Sequence, residues 1–168
     1  MLLVRASLFI HRSQGEEPVK RRNILAAIAC LILIAISSPS QQSGPLVTVF
    51  KNPTCACCGK WVEHLKANGF AVKVQEVNDT AAYERQYHVP RSLVSCHTAV
   101  VNGYTIEGHV PAAEIKRLLN ERPKAVGLAV PGMPVGSPGM EAARSEAYSV
   151  MLFDESGHSS VYQRYPER

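Results

Sequence analysis

One stretch joins a strand pattern to a helix pattern through a turn that carries three cysteines: Leu46-Val-Thr-Val-Phe-Lys-Asn-Pro-Thr-Cys55-Ala-Cys57-Cys58-Gly-Lys-Trp-Val-Glu-His-Leu-Lys-Ala-Asn-Gly69. Leu46 to Phe50 is rich in β-branched residues and predicts a strand. Gly59 to Asn68 has apolar residues at helical spacing, and Gly69 suits the cap that ends such a helix. The cysteines are therefore predicted to lie at a strand-to-helix turn.

Alternating strand and helix patterns continue along the chain. They predict a strand over Val72 to Val77, a helix from Asp79 or Thr80 to about Tyr87, a hairpin of Ser95 to Val101 with Tyr104 to Glu107, and a helix over Pro111 to Arg122. The order β-α-β-α-β-β-α predicts an α/β fold that is thioredoxin-like, with a central mixed sheet flanked by helices. We place this single domain at residues 46–165.

The C-terminal third predicts a long loop followed by a second hairpin. Pro123 to Gly139 is rich in proline, glycine and valine. A loop of that length inside a compact domain is usually functional or disordered. Tyr148 to Asp154 and Ser160 to Tyr165 are predicted to pair as the hairpin.

The N-terminus has the order of a secretory signal peptide. Basic residues at 20–22 precede an apolar run from Ile24 to Ile36, and small residues follow it. The run is about 13 residues, shorter than the ~20 needed to span a membrane. We predict a signal peptide at residues 1–37, with an uncleaved anchor as the alternative, and a flexible tether at residues 38–45. The domain is then expected in the periplasm, and soluble unless the N-terminal segment is retained as an anchor.

Charge argues against nucleic-acid binding. The whole chain has a net charge of +4, but residues 1–37 contain five basic and two acidic residues, so the remainder has a net charge of only +1. A nucleic-acid-binding domain normally keeps a basic patch. No Ser-His-Asp set, paired-carboxylate site or phosphate-binding glycine loop is identifiable, so hydrolytic chemistry is also disfavoured.

Four cysteines remain after the predicted signal peptide: Cys55, Cys57, Cys58 and Cys96. Two disulfides drawn from this set would include one between near neighbours, which closes almost no loop and adds little stability. Cys55 and Cys58 can converge as a CxxC pair, and the helix N-terminus favours ionised sulfur there. A dithiol redox site needs only two sulfurs, so the third indicates a soft ion such as Cu(I), and neighbouring thiolates can bridge such ions into a cluster.

Later residues offer further soft or borderline ligands. Cys96 and His97 begin the third predicted strand, beside the cysteine turn in a thioredoxin-like arrangement. Because adjacent strand residues face opposite ways, we do not expect both of them on one ion unless the strand is irregular there. Three residues outside helical stripes are candidate ligands as well: His109, Met133 and Met140. Imidazole nitrogen suits copper, and the thioether sulfur of methionine suits Cu(I).

Four short motifs resemble those of CopG-type proteins, small exported proteins of bacterial copper and heavy-metal resistance. The motifs are Cys55-Ala-Cys57-Cys58-Gly59, Ser95-Cys96-His97-Thr98, Glu107-Gly-His109-Val-Pro111 and Met133-Pro-Val-Gly-Ser-Pro-Gly-Met140-Glu141. The resemblance covers about Leu46 to Tyr165. It implies a thioredoxin-like fold, a periplasmic location, and copper held by the CxCC cysteines with Cys96. It also implies a role beside copper-efflux or copper-chaperone proteins, and interconversion of Cu(I) and Cu(II).

Three hypotheses follow. In the first, an exported protein binds Cu(I) through Cys55, Cys57, Cys58 and Cys96, with His97, His109, Met133 or Met140 as outer or exchange ligands; it is a metal-binding protein more than an enzyme. In the second, Cys55 and Cys58 form the redox pair of a thiol-disulfide oxidoreductase. In the third, Cys55, Cys58, Cys96 and His97 hold a structural zinc ion, and Cys57 is dispensable.

Overall fold

A computed structural model describes residues 44–166 of the chain. The strands are β1 (Leu46–Lys51), β2 (Ala71–Glu76), β3 (His97–Val101), β4 (Tyr104–Glu107), β5 (Gly127–Ala129), β6 (Tyr148–Phe153) and β7 (Ser159–Tyr165). The helices are α1 (Ala56–Ala67), α2 (Thr80–Gln86) and α3 (Ala112–Glu121), with a 3-10 turn at Arg91–Leu93. The predicted signal peptide and nearly all of the predicted tether lie outside the described residues, so both stay predictions.

The strands form one mixed sheet in the order β2-β1-β3-β4-β5-β6-β7. β1 runs parallel to β2 and antiparallel to β3, and the β3–β4 hairpin turns at Asn102-Gly103 as predicted. This confirms the predicted α/β class with a mixed sheet and helices. The more specific thioredoxin-like assignment stays a prediction.

Helix α1 packs against the sheet through its apolar stripe. Trp61 and Leu65 are fully buried, as the helical spacing predicts. The Trp61 indole Nε1 donates to the carbonyl oxygen of Val110 at 2.9 Å, which satisfies the one polar atom of this buried ring. The helix begins at Ala56 with Cys55 as its N-cap, so Cys57 and Cys58 fall in its first turn, although the apolar spacing becomes visible only from Gly59.

Two predicted boundaries are wrong in ways that matter for the site. β3 begins at His97 and not at Ser95, since the backbone of Ser95 bonds to a side chain instead of a neighbouring strand. The predicted loop at 123–139 contains β5, which pairs with β4 and β6. A three-residue strand is too short to show periodicity. Gly127 is required there because a Cβ would overlap the backbone carbonyl group of Thr105.

The sheet register places the two cysteine segments side by side. β1 ends at Lys51, directly opposite His97 at the start of the antiparallel strand β3. The turn that follows β1 and the segment that precedes β3 therefore leave the same end of the sheet. No helix within residues 44–166 has the length and apolar character to cross a bilayer.

Arg117 on α3 fastens the last strand to the domain. Its guanidinium carbon lies 3.7 Å from the centre of the Tyr162 ring, and its Nη2 donates to the Tyr162 carbonyl oxygen at 2.8 Å. We expect Arg117→Ala to lower the free energy of unfolding by about 2 kcal/mol, from the lost stacking and hydrogen bond. Arg117→Lys should recover only part of this loss, since an ammonium lacks the planar fork. Urea titration checks both, and equal stability of Arg117→Ala and the parent would contradict the prediction.

Candidate metal centre

The turn before α1 is built by Asn52 and places Cys55 at the helix N-cap. The Asn52 side-chain oxygen accepts from the backbone nitrogen and hydroxyl of Thr54, and its carbonyl oxygen accepts from the Cys55 nitrogen at 3.1 Å. The Cys55 sulfur in turn faces the Cys58 nitrogen at 3.4 Å. Three sulfurs are thus gathered in the first turn of α1, as the sequence predicts.

Cys55 and Cys58 are joined by a disulfide, whereas Cys57 and Cys96 are free thiols. The pairing agrees with the convergence expected from helix spacing. It closes a loop between residues only three apart, so it adds little stability, and no second disulfide is present among the described residues. The Cys57 sulfur lies 3.5 Å from the Cys55 sulfur, and the Cys96 sulfur lies 3.5 Å from the Cys58 sulfur. Each thiol therefore touches one end of the disulfide.

Cys96 stands where two groups of possible ligands meet. Cys55, Cys57, Cys58 and Cys96 form one group, and Cys96, His97 and His109 form the other, each with all its ligand atoms within 4.8 Å of one another. The Cys96 sulfur lies 3.3 Å from His97 Nδ1 and 3.1 Å from His109 Nε2. The structure shows the exception that the sequence left open: Cys96 precedes β3 and escapes the alternation of a strand, so its sulfur and His97 Nδ1 face each other.

His109 is held in one orientation and one tautomer. Its Nδ1 donates to the carbonyl oxygen of Pro138 at 2.8 Å, and a carbonyl can only accept. Nε2 is therefore left without a hydrogen and presents its lone pair to Cys96. Burial lowers the pKa of His109, although the Pro138 contact opposes this. A neutral imidazole fixed through its other nitrogen is the form in which histidine binds metals.

His97 is fully buried between Trp61 and His109. Its ring centre lies 4.4 Å from that of Trp61 and 5.2 Å from that of His109. Burial, followed by the charge of His109, lowers its pKa to about 3, so the ring stays neutral. Its Nε2 has no hydrogen-bond partner among the described residues. An orphaned nitrogen on a fully buried ring is costly. The other ring nitrogen, Nδ1, faces the Cys96 sulfur and is the atom placed to bind a metal.

The half-buried Cys96 and the fully buried Glu107 set the electrostatics of the site. Burial, followed by the nearby Cys57, raises the pKa of the Cys96 thiol to about 12. Burial also raises the pKa of Glu107 to about 8, against hydrogen bonds from Thr98 and Ser95 that lower it. A metal ion would have to displace the Cys96 proton, as is usual for thiolate ligands.

The segment from Gly132 to Met140 borders the site. The Gly132 carbonyl oxygen accepts from the Ser95 hydroxyl, which places the 51% exposed Met133 beside the Cys96 segment. Gly139 is buried against the first turn of α1, where a Cβ would lie 2.7 Å from the Cys57 carbonyl oxygen. The half-buried Met140 follows it. Both methionines lie in this bordering segment, and their role as ligands stays a prediction.

The set of donors fits a soft metal. Four sulfurs and two neutral imidazoles converge, and no carboxylate belongs to either group of possible ligands in residues 44–166. Sulfur and imidazole suit Cu(I) and zinc, whereas a hard cation would require oxygen ligands. The two groups share the Cys96 sulfur, and a thiolate in that position can bridge two ions.

Comparisons with known proteins agree on one family. Two solved structures, described as "Copper resistance protein copG- Form 1" and "Form 2", are each 47% identical to this chain and cover 74% of it. The match covers 99% and 100% of those chains, with TM-scores of 0.70 and 0.71. The chain belongs to the CopG family. A family model described as "Protein of unknown function, DUF411" matches residues 93–140, which include Cys96, His97, His109, Met133 and Met140. No curated protein matches.

Two residues of the site were not predicted from the sequence. Glu107 is fully buried and bonds to the Cys96 segment. Lys51 is only 6% exposed, and its ammonium donates to the Asn52 carbonyl oxygen at 2.9 Å, in the turn before Cys55. The available signal was a charged residue at the end of each apolar strand pattern, directly before a candidate-ligand segment.

Proposed function

We propose that this protein is an exported copper-binding protein of copper resistance. In its reduced form it binds Cu(I) through Cys55, Cys57, Cys58 and Cys96. The imidazoles of His97 and His109 complete the ligand set, and Met133 and Met140 act as exchange ligands at the rim. The observation that carries this proposal is the position of the Cys96 sulfur, which is shared by the all-sulfur group and the histidine group.

The Cys96 sulfur is shared by both groups of possible ligands, which favours the binding of more than one Cu(I) ion. A single ion needs few of the six sulfur and imidazole donors, whereas a bridging Cys96 thiolate lets neighbouring Cu(I) ions use them together. The relatives named for copper resistance support copper as the metal. The periplasm as the location, and copper-efflux or copper-chaperone proteins as partners, belong to the same proposal. The N-terminal sequence pattern supports the periplasmic location, and the family supports copper-efflux or copper-chaperone proteins as partners.

Copper binding should depend on reduction of the Cys55–Cys58 disulfide, because thiolate and not disulfide sulfur is the ligand. Reduction should expose two additional thiols and raise the copper content from a small fraction to more than one Cu(I) per chain. A copper-to-protein ratio measured together with a free-thiol count, before and after anaerobic reduction, checks this. Stoichiometric zinc with no preference for copper would contradict the proposal and favour the structural zinc site.

The observed disulfide favours a second candidate, a thiol-disulfide oxidoreductase. Cys55 and Cys58 have the CxxC spacing of such enzymes, and Cys55 is the N-cap of α1. In that case Cys57 and Cys96 are dispensable. Reduction of insulin disulfides by the Cys57→Ser and Cys96→Ser variants, without copper, distinguishes the two functions.

A further inference from the structure

Glu107 is a buried carboxyl group at the end of β4 with no ion pair among the described residues. It is fully buried. Its Oε1 accepts from the backbone nitrogen of Ser95 at 2.7 Å, and its Oε2 accepts from the Thr98 hydroxyl at 2.7 Å. Burying a polar carboxyl group costs free energy even when it is protonated, and two hydrogen bonds offset that cost only in part. Packing alone would be served better by an apolar residue.

The two contacts of Glu107 bracket two of the candidate ligands. Ser95 immediately precedes Cys96, and Thr98 immediately follows His97. A third bond, from the Gly108 nitrogen to the His97 carbonyl oxygen at 2.9 Å, ties the same segment to the residue after Glu107. The segment is therefore held on both sides of the point where β3 begins.

This bend decides which way Cys96 points. If β3 began at Ser95, the Cys96 and His97 side chains would lie on opposite faces of the sheet. With the Ser95 amide turned to a carboxylate, the Cys96 sulfur instead faces His97 Nδ1 at 3.3 Å and the Cys58 sulfur at 3.5 Å. The two groups of possible ligands meet only in this geometry.

We propose that Glu107 is a positioning residue for the metal centre, which clamps the backbone around Cys96 and His97 so that both converge with the cysteines of α1. This inference rests on the proposed copper function and adds to it a residue that does not itself touch the metal. It acts through the Ser95 amide and the Thr98 hydroxyl.

The test compares Glu107→Ala with Glu107→Gln and with Arg117→Ala. Alanine removes both contacts. Glutamine keeps one oxygen that accepts from the Ser95 backbone nitrogen, and its NH2 group can donate to the hydroxyl oxygen of Thr98. Arg117→Ala lowers stability at α3 and β7, away from the cysteines, and is the control for loss of stability alone. Cu(I) affinity is measured on the reduced proteins by competition with bicinchoninate, well below each melting temperature.

Glu107→Ala should weaken Cu(I) binding by about 10- to 100-fold, the usual effect of losing a group that orients a ligand. Glu107→Gln should stay within about threefold of the parent, and Arg117→Ala should bind normally. Equal affinity in Glu107→Ala and the parent would overturn the inference. So would an equal loss in Arg117→Ala. If Glu107→Ala does not fold, Thr98→Val removes one of the two contacts, and parent-like affinity in that variant would equally overturn it.

A measurement without copper separates this inference from the proposed function. In the metal-free protein, hydrogen exchange at the Ser95 amide should be faster in Glu107→Ala than in Arg117→Ala, because only the former loses the acceptor. Unchanged exchange would reject the clamp. Failure of the parent protein to bind Cu(I) would instead reject the proposed function, and the exchange rates would still decide the role of Glu107.

Discussion

Replacing Cys96 with serine should lower the affinity for Cu(I) by at least about 100-fold, the upper end of the loss seen when a group that merely orients a ligand is removed. The Cys96 sulfur lies within 3.5 Å of the Cys58 sulfur and of both imidazoles. Serine offers only a hard oxygen there, so the sulfur group and the histidine group lose the atom they share. Competition titration of the reduced protein measures this loss.

The matched control for Cys96→Ser is His158→Ala. His158 is exposed in the turn between β6 and β7, so its removal should leave Cu(I) affinity unchanged. Parent-like copper binding by Cys96→Ser would contradict the proposed site. If Cys96→Ser also kept full activity in the insulin assay, the oxidoreductase hypothesis would replace the proposed copper-binding function.

Gly139→Ala should destabilise the protein far more than Gly132→Ala, although both positions have a positive φ. Gly139 has a φ of +87°, and a Cβ there would lie 2.7 Å from the Cys57 carbonyl oxygen and 2.9 Å from the Trp61 nitrogen. Both atoms belong to the backbone of α1 and cannot rotate away. Left-handed strain of about 1–2 kcal/mol and overpacking of about 1–3 kcal/mol should together lower the free energy of unfolding by about 2–5 kcal/mol.

Gly132 has a φ of +66° and nothing within 4 Å of its Cβ position, so its alanine variant should lose only about 1–2 kcal/mol. Urea unfolding of both variants measures the difference. Gly139→Ala should also weaken Cu(I) binding by about tenfold, since lifting the segment withdraws the Pro138 carbonyl oxygen from His109. Equal losses of stability in the two variants would show that Gly139 is not packed against α1 as described.

Local patterns in the sequence predicted most of the elements correctly. The apolar spacing of Trp61 and Leu65 located α1, and Asn102-Gly103 located the β3–β4 turn. Such patterns depend on the period of a single element and need no knowledge of its neighbours. The short strand β5 was missed for the same reason, because three residues show no period and are fixed by pairing with β4 and β6.

The sequence groups Cys55, Cys57 and Cys58 by their crowding and residue type, and adds Cys96 from the expected strand arrangement and the family resemblance. The structure brings these four sulfurs together. The sequence does not predict the convergence of Cys96 with His97, since it depends on Glu107, which approaches from the neighbouring strand. A carboxylate that bonds across twelve residues leaves no local periodic trace.

The sequence by itself determined the α/β class, the placement of three cysteines at the start of a helix and a set of possible soft ligands, because helix capping and donor chemistry depend on residue type and spacing within one segment. Only the tertiary structure decided that Cys96 is shared between sulfur and imidazole groups. That geometry comes from the antiparallel register that places His97 opposite Lys51, and from a buried carboxylate that bends the backbone out of the strand. Both are contacts between segments distant along the chain, and their energies exist only once the sheet has formed.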